Sequence, residues 1–207
     1  MESYRTIGRS AEDEFVEKRS RFIGAVRPVS SAEEAQAFIA ERRGMHPQAN
    51  HNCWAYILRE GGIQRYSDDG EPQGTAGIPM LEVLRKEGLC DLVVVVTRYF
   101  GGTLLGAGGL VRAYSHGVTV ALDAGGRVTM AACTLLTIAL PYPLYDRLIK
   151  LLEPFPALIL DTRYTDEITL DIRMRSDSVD QFTAALTELS SGSVTPGVTG
   201  EVFAPLE

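Results

Sequence analysis

The 207-residue sequence has only three cysteines, Cys53, Cys90 and Cys133, in odd number and far apart. None of the paired spacings that disulfide frameworks or tetrahedral zinc sites use is present, so both are excluded and reduced thiols are expected. Long apolar runs are missing as well. The most apolar stretch, Leu92–Val96, falls far short of the ~20 residues a membrane-crossing helix needs. The start MESYRTIGRS lacks the basic segment and apolar core of a secretory signal, so a cytoplasmic location without a membrane anchor is expected. Positive charge is in deficit: 20 basic against 27 acidic residues leave a formal charge of −7. That balance opposes broad attraction to phosphate backbones or anionic lipid. No membrane and no DNA partner is expected, and any contact with nucleic acid has to be local.

What remains is an ordinary globular composition, 45% hydrophobic and 23% charged, long enough for one large domain or two small ones. Phe15–Val29 interleaves apolar and charged residues as one or two partly exposed strands do. Ser30 and Ser31 precede Glu33 and Glu34 in a capping-box pattern, which predicts a helix over Ala32–Arg43 with Gly44 as its left-handed stop. His51–Leu58 and Ile63–Ser67 read as a hairpin around Gly61-Gly62, and Pro79 opens a short helix that runs to Gly88. Leu92–Tyr99, β-branched on both faces, reads as a buried central strand, followed by a helix over Leu110–Ala124. Gly125-Gly126 marks the domain boundary, dividing residues 1–125 from 126–207. The second part orders its elements βαββαβ, a ferredoxin-like arrangement. It also holds most of the acidity: 14 basic and 16 acidic residues lie in 1–125, 6 and 11 in 126–207.

Three segments have residue types that suit chemistry. In Thr97–Tyr114, Gly101, Gly102, Gly106, Gly108 and Gly109 lie between a strand and a helix. Such a loop exposes backbone N–H groups and a helix N-terminus to an anion, with Arg98 at the strand end and Arg112 expected in the first helical turn. The same glycines also suit a sharp turn with close packing. Neither a Walker loop nor GxGxxG fits the spacing, and no cofactor is expected. In Ser67–Pro72, Asp68, Asp69 and Glu71 could act in acid–base chemistry or hold a cation, although Asp-Gly and Glu-Pro form turns for backbone reasons alone. His51-Asn52-Cys53 suggests a Cys–His nucleophile, but residues two apart on a strand are ~6.7 Å apart, and a buried structural Cys53 is the competing reading.

Taken together, KRSRF (Lys18–Phe22), HNCWAY (His51–Tyr56), SDDGEPQGTAGIP (Ser67–Pro79) and VVTRYFGGTLLGAGGLVRAY (Val95–Tyr114) resemble the bacterial, YigZ-like branch of the IMPACT family. The resemblance implies an α+β protein of two domains. The first would be a two-layer α/β domain of the ribosomal-protein domain-2-like kind, and the second a ferredoxin-like domain similar to domain V of elongation factor G. It also implies an association with control of translation, because eukaryotic members compete for an activator of a stress kinase. Those members carry an extra RWD domain, for which the stretch before KRSRF leaves no room, so that partner is not expected. The family supplies no catalytic residues to carry over. His51, Asn52, Arg98, Arg112 and the loop glycines are then candidates for anion or RNA binding. The leading expectation is a factor that binds structured RNA or the ribosome without catalysis. The alternatives are a protein or enzyme for a phosphorylated small molecule and a regulator that acts through a protein partner.

Overall fold

A computed structural model describes residues 3–205 and separates them into two compact units, Tyr4–Thr129 and a second one from Met130 on. The first unit contains β1 (Tyr4–Ile7), β2 (Ala11–Glu17), β3 (Ser20–Pro28), α1 (Ala32–Met45), β4 (His51–Leu58), β5 (Ile63–Ser67), α2 (Gly77–Glu87), β6 (Leu92–Tyr99) and α3 (Ala107–Gly125). Its sheet runs β2-β3-β6-β4-β5, antiparallel throughout. β6 is central, and Leu92–Arg98 are all buried, as its unbroken apolar run requires. Val94 and Val96 face α2 and α3 in one core, while Val93 and Val95 face α1 in another. Helices therefore cover both faces. The unit has three layers rather than the two expected, because β4 and β6 alternate apolar residues on both sides and each side needs cover.

Local signals explain most boundaries. Ser31 caps α1 by accepting the Glu34 N–H, and the Glu34 carboxylate reaches back to the Ser30 N–H at 2.7 Å. The helix does not stop at Gly44 but runs to Met45, since buried Arg42 anchors its last turn to Glu12 and His46. α3 begins at Ala107, three residues before the expected start, because Gly106 at φ 76° makes the turn into the helix. Arg112 thus lies in the second turn, not the first. Gly24 and Gly117 allow α3 to lie directly on β3: a Cβ at Gly24 would sit 2.0 Å from the Gly117 carbonyl oxygen.

The second unit is built on β7 (Arg127–Leu140), α4 (Tyr145–Leu152), β8 (Ala157–Tyr164), β9 (Ile168–Arg175), α5 (Val179–Ser190) and β10 (Gly197–Pro205). The strands lie in the order β10-β7-β9-β8, all neighbours antiparallel, which is the ferredoxin-like topology. Strict alternation along β9 sends Ile168, Leu170, Ile172 and Met174 into a core with Leu148, Phe182 and Leu186. Among the described residues no helix is long and apolar enough to cross a membrane.

Candidate functional site

Asp69 at φ 42° and Gly70 at φ 87° form a tight turn closed by the Glu71 N–H donating to the Asp68 carbonyl at 2.9 Å. The turn directs its three carboxylates to different places. Asp68 accepts from the N–H groups of Gly74, Ala76 and Gly77 at 2.9, 3.0 and 2.8 Å, so it caps α2, whose own N-cap is Ala76. Asp69 accepts from the Asn52 N–H at 2.7 Å and pairs with Arg43 at 2.6 Å. Glu71 turns inward. The three do not converge on a cation, and among the described residues no group of three or more His, Cys, Asp or Glu could hold a metal ion.

Glu71 forms the floor of a cleft of about 420 Å³ lined by Asn50, His51, Gly70, Pro72, Arg98, Phe100, Leu104, Leu105, Gly106, Ala107 and Leu110. Its carboxylate meets the Arg98 guanidinium at 2.6 Å and accepts the Tyr114 hydroxyl at 2.7 Å. The Arg98 and Glu71 side chains are 6% and 3% exposed, so their charges cancel inside the protein rather than facing solvent. The Phe22 and Phe100 rings lie 5.5 and 5.4 Å from the Arg98 guanidinium carbon, and among the described residues Arg98 Nε has no hydrogen-bond partner. Burial pushes the Tyr114 phenol up, which keeps it a donor to Glu71. His51 lies at the cleft edge. Its Nδ1 donates to the Asp69 carbonyl at 2.9 Å, so in the neutral ring Nε2 keeps a lone pair, 3.8 Å from Glu71.

Asn52 and Cys53 belong to the scaffold. Asn52 is buried and its Oδ1 accepts the Thr97 hydroxyl at 2.8 Å. The Cys53 thiol donates to the Asp68 carbonyl at 2.9 Å, and burial pushes it up. With His51 bound elsewhere and Cys53 a buried thiol, the pair is not an activated nucleophile.

The glycine loop is held by contacts at its start. Gly101 packs so closely on the Arg19 backbone that a Cβ would lie 2.0 Å from the Arg19 carbonyl, and its N–H donates to Ser20 Oγ at 3.3 Å. Asn50 accepts the Phe100 N–H at 2.8 Å. Beyond this anchor, Gly102, Gly106 and Gly108 are exposed and Gly109 is half-buried. The first turn of α3 has no acidic residue, and Gly106 offers no capping side chain. Arg112 does not line the cleft. It lines a second pocket of about 260 Å³ with Phe15, Glu17, Lys18, Leu105, Gly109, Ala113 and His116. Leu105 is common to both hollows.

Sequence reasoning missed Tyr114, which reads as a core aromatic on its helix face, and Phe100, Leu104 and Asn50, which form the exposed rim and anchor of the cleft. The Leu104-Leu105 pair inside a glycine-rich loop was the available signal. Leu104 is 81% exposed, which a loop shaped only for turning does not need.

Two domains, an N-terminal α/β unit with a cleft at a glycine-rich helix start and a ferredoxin-like unit, define the class. The model of the Impact N-terminal domain matches residues 18–122, and that of a domain of unknown function, DUF1949, matches residues 138–193. The chain is 39% identical to the IMPACT family member YvyE of Bacillus subtilis, over 93% of this chain and 89% of that one. It is 36% identical to the IMPACT family member YigZ of Escherichia coli, over 86% and 88%. A solved structure described as that of a hypothetical protein covers 95% of this chain and 97% of its own, with a TM-score of 0.61 at 34% identity. The chain belongs to the IMPACT family.

Proposed function

We propose that this IMPACT family member is a translation-associated regulatory factor that binds structured RNA, as free RNA or on the ribosome, without catalysis. One observation carries the reading: the uncapped N-terminus of α3 opens into the same cleft as Phe100, 45% exposed, and Leu104, 81% exposed. Backbone N–H groups at a helix start suit phosphate, and an exposed aromatic beside them suits an unstacked base. The formal charge of −7 restricts this to local recognition of a shaped site. The internally neutralised Arg98–Glu71 pair supports the cleft wall, so Arg98 shapes the site rather than contacting phosphate.

A smaller ligand has one observation in its favour, the cleft volume of about 420 Å³, which lies in the range of small-molecule sites. The test is equilibrium binding of the full chain to ribosomes and to a structured RNA across a salt series, beside a thermal-shift screen of nucleotides and phosphorylated metabolites. Binding that weakens with salt and drops in Phe100→Ala is the expected result. Absence of binding at low salt, or binding indifferent to Phe100→Ala and Leu104→Ala together, refutes the RNA reading. A ligand stabilisation lost in the same variants would replace it with the small-molecule one.

A further inference from the structure

We propose that the pocket beside the cleft, walled by Lys18, Arg112 and His116, is a phosphate-binding subsite. Three observations converge on it. First, Lys18 and Arg112 make no ion pair or side-chain hydrogen bond among the described residues, whereas several other arginines of this unit stand against carboxylates, among them Arg21–Glu14, Arg42–Glu12 and Arg98–Glu71. Two free cations line one hollow in a chain of net negative charge, and among the described residues lining it Glu17 is the one carboxylate, which leaves a local positive site. Second, the Arg112 side chain folds back along α3, its Nη1 3.7 Å from where a Cβ on Gly108 would be. Its charge therefore lies at the first turn, where the helix already presents partial positive charge and no acidic residue offsets it. An anion relieves that repulsion and meets both sources of charge at once. Third, Lys18 and Arg19 occupy a two-residue hairpin turn at φ 46° and 69°, a conformation that favours Asn-Gly. The turn is kept in place by the close packing of Gly101 on Arg19, which fixes the base of the Lys18 side chain at the pocket mouth.

The ligand chemistry is a phosphate group, a phosphodiester of RNA or a phosphomonoester of a small molecule. With RNA as physiological ligand the subsite rests on the function proposed above. Leu105 lies between this pocket and the cleft, which suits a nucleotide chain with a base on one side and its phosphate on the other.

The test uses the full chain and the variants Lys18→Gln and Arg112→Gln, alone and together, whose exposed side chains can be replaced without disturbing the core. Amide shifts of Gly108, Gly109 and Lys18 are followed by NMR on titration with a structured RNA, with AMP and with inorganic phosphate. Shifts at these residues, present with RNA or with AMP and lost in the double variant, are expected. RNA affinity in the double variant should fall on the order of 10- to 100-fold, and the salt slope should become shallower by about one for each cation removed. If RNA binds and the double variant matches the wild type in affinity and slope, the subsite is refuted while the RNA reading stands. If RNA does not bind, AMP decides: shifts at these amides keep the subsite for phosphomonoesters and overturn the RNA reading, and their absence overturns both.

Discussion

Replacing Glu71 by glutamine removes one charge from the floor of the cleft and little else. Glutamine keeps an oxygen for the Arg98 guanidinium and the Tyr114 hydroxyl, which now bond to Glu71 Oε1 at 2.6 and 2.7 Å. What changes is that Arg98, 6% exposed and stacked near two rings, is left without a counter-charge. Two unit charges about 4 Å apart at an effective dielectric near 20 attract by about 4 kcal/mol. Breaking a buried pair from one side costs about 3–5 kcal/mol. Since hydrogen bonds survive in Glu71→Gln, the lower end, about 3 kcal/mol, is expected. Trp54 on β4 is the only tryptophan, so its fluorescence reports unfolding of the N-terminal unit without interference from the other. With a urea slope of about 2 kcal/mol per molar, the midpoint should fall by about 1.5 M. Arg98→Met with Glu71→Leu removes both charges and should recover most of the loss. A midpoint within about 0.3 M of the wild type for Glu71→Gln would refute the reasoning, because Arg98 would then have to be hydrated and the cleft floor open.

Other consequences follow from single contacts. His46 accepts from Arg42 at 3.0 Å and donates to the Tyr99 hydroxyl at 2.9 Å, and burial, helped by the Arg42 charge, holds its pKa below the ordinary histidine value. The unfolded chain thus binds the proton first, so this contribution to stability is complete above about pH 6.5 and is lost as pH falls toward the lowered value. Urea midpoints followed by Trp54 should drop between pH 7.5 and 5.5, and His46→Gln should flatten that drop. Asp68→Ala strips three N–H groups at the start of α2 of their acceptor and should destabilise the unit by about 2 kcal/mol, read in the same unfolding curves. Arg19→Gly relieves a left-handed residue at φ 69° and should raise stability by roughly 1 kcal/mol, visible as a melting temperature a few degrees higher.

The sequence made the elements legible where local chemistry decides them. Asp69-Gly70 announces its turn, Ser31 and Glu34 announce a helix start, and Leu92–Tyr99 announces a strand buried on both sides. It misled where long-range contacts decide. Arg98 at a strand end beside a glycine loop reads as a free cation, and only the fold brings Glu71, 27 residues away in sequence, to neutralise it. Arg112 reads as a partner of Arg98, yet the early start of α3 at Ala107 gives it to a separate pocket. The three neighbouring carboxylates read as one cluster, and the turn that joins them is what sends them apart. Lys18, by contrast, reads as a solvated strand residue, and its unpaired place in a pocket depends on the hairpin turn and on Gly101, 83 residues further on.

The central claim, that RNA is held at the glycine loop, is tested most directly by cross-linking a structured RNA to the full chain with ultraviolet light and mapping the linked residues by mass spectrometry. Links concentrated at Phe100, His51 and the Gly101–Gly109 loop are predicted, and they should vanish in high salt. Efficient links confined to the ferredoxin-like unit, or none under conditions where ribosome binding is measured, would contradict it.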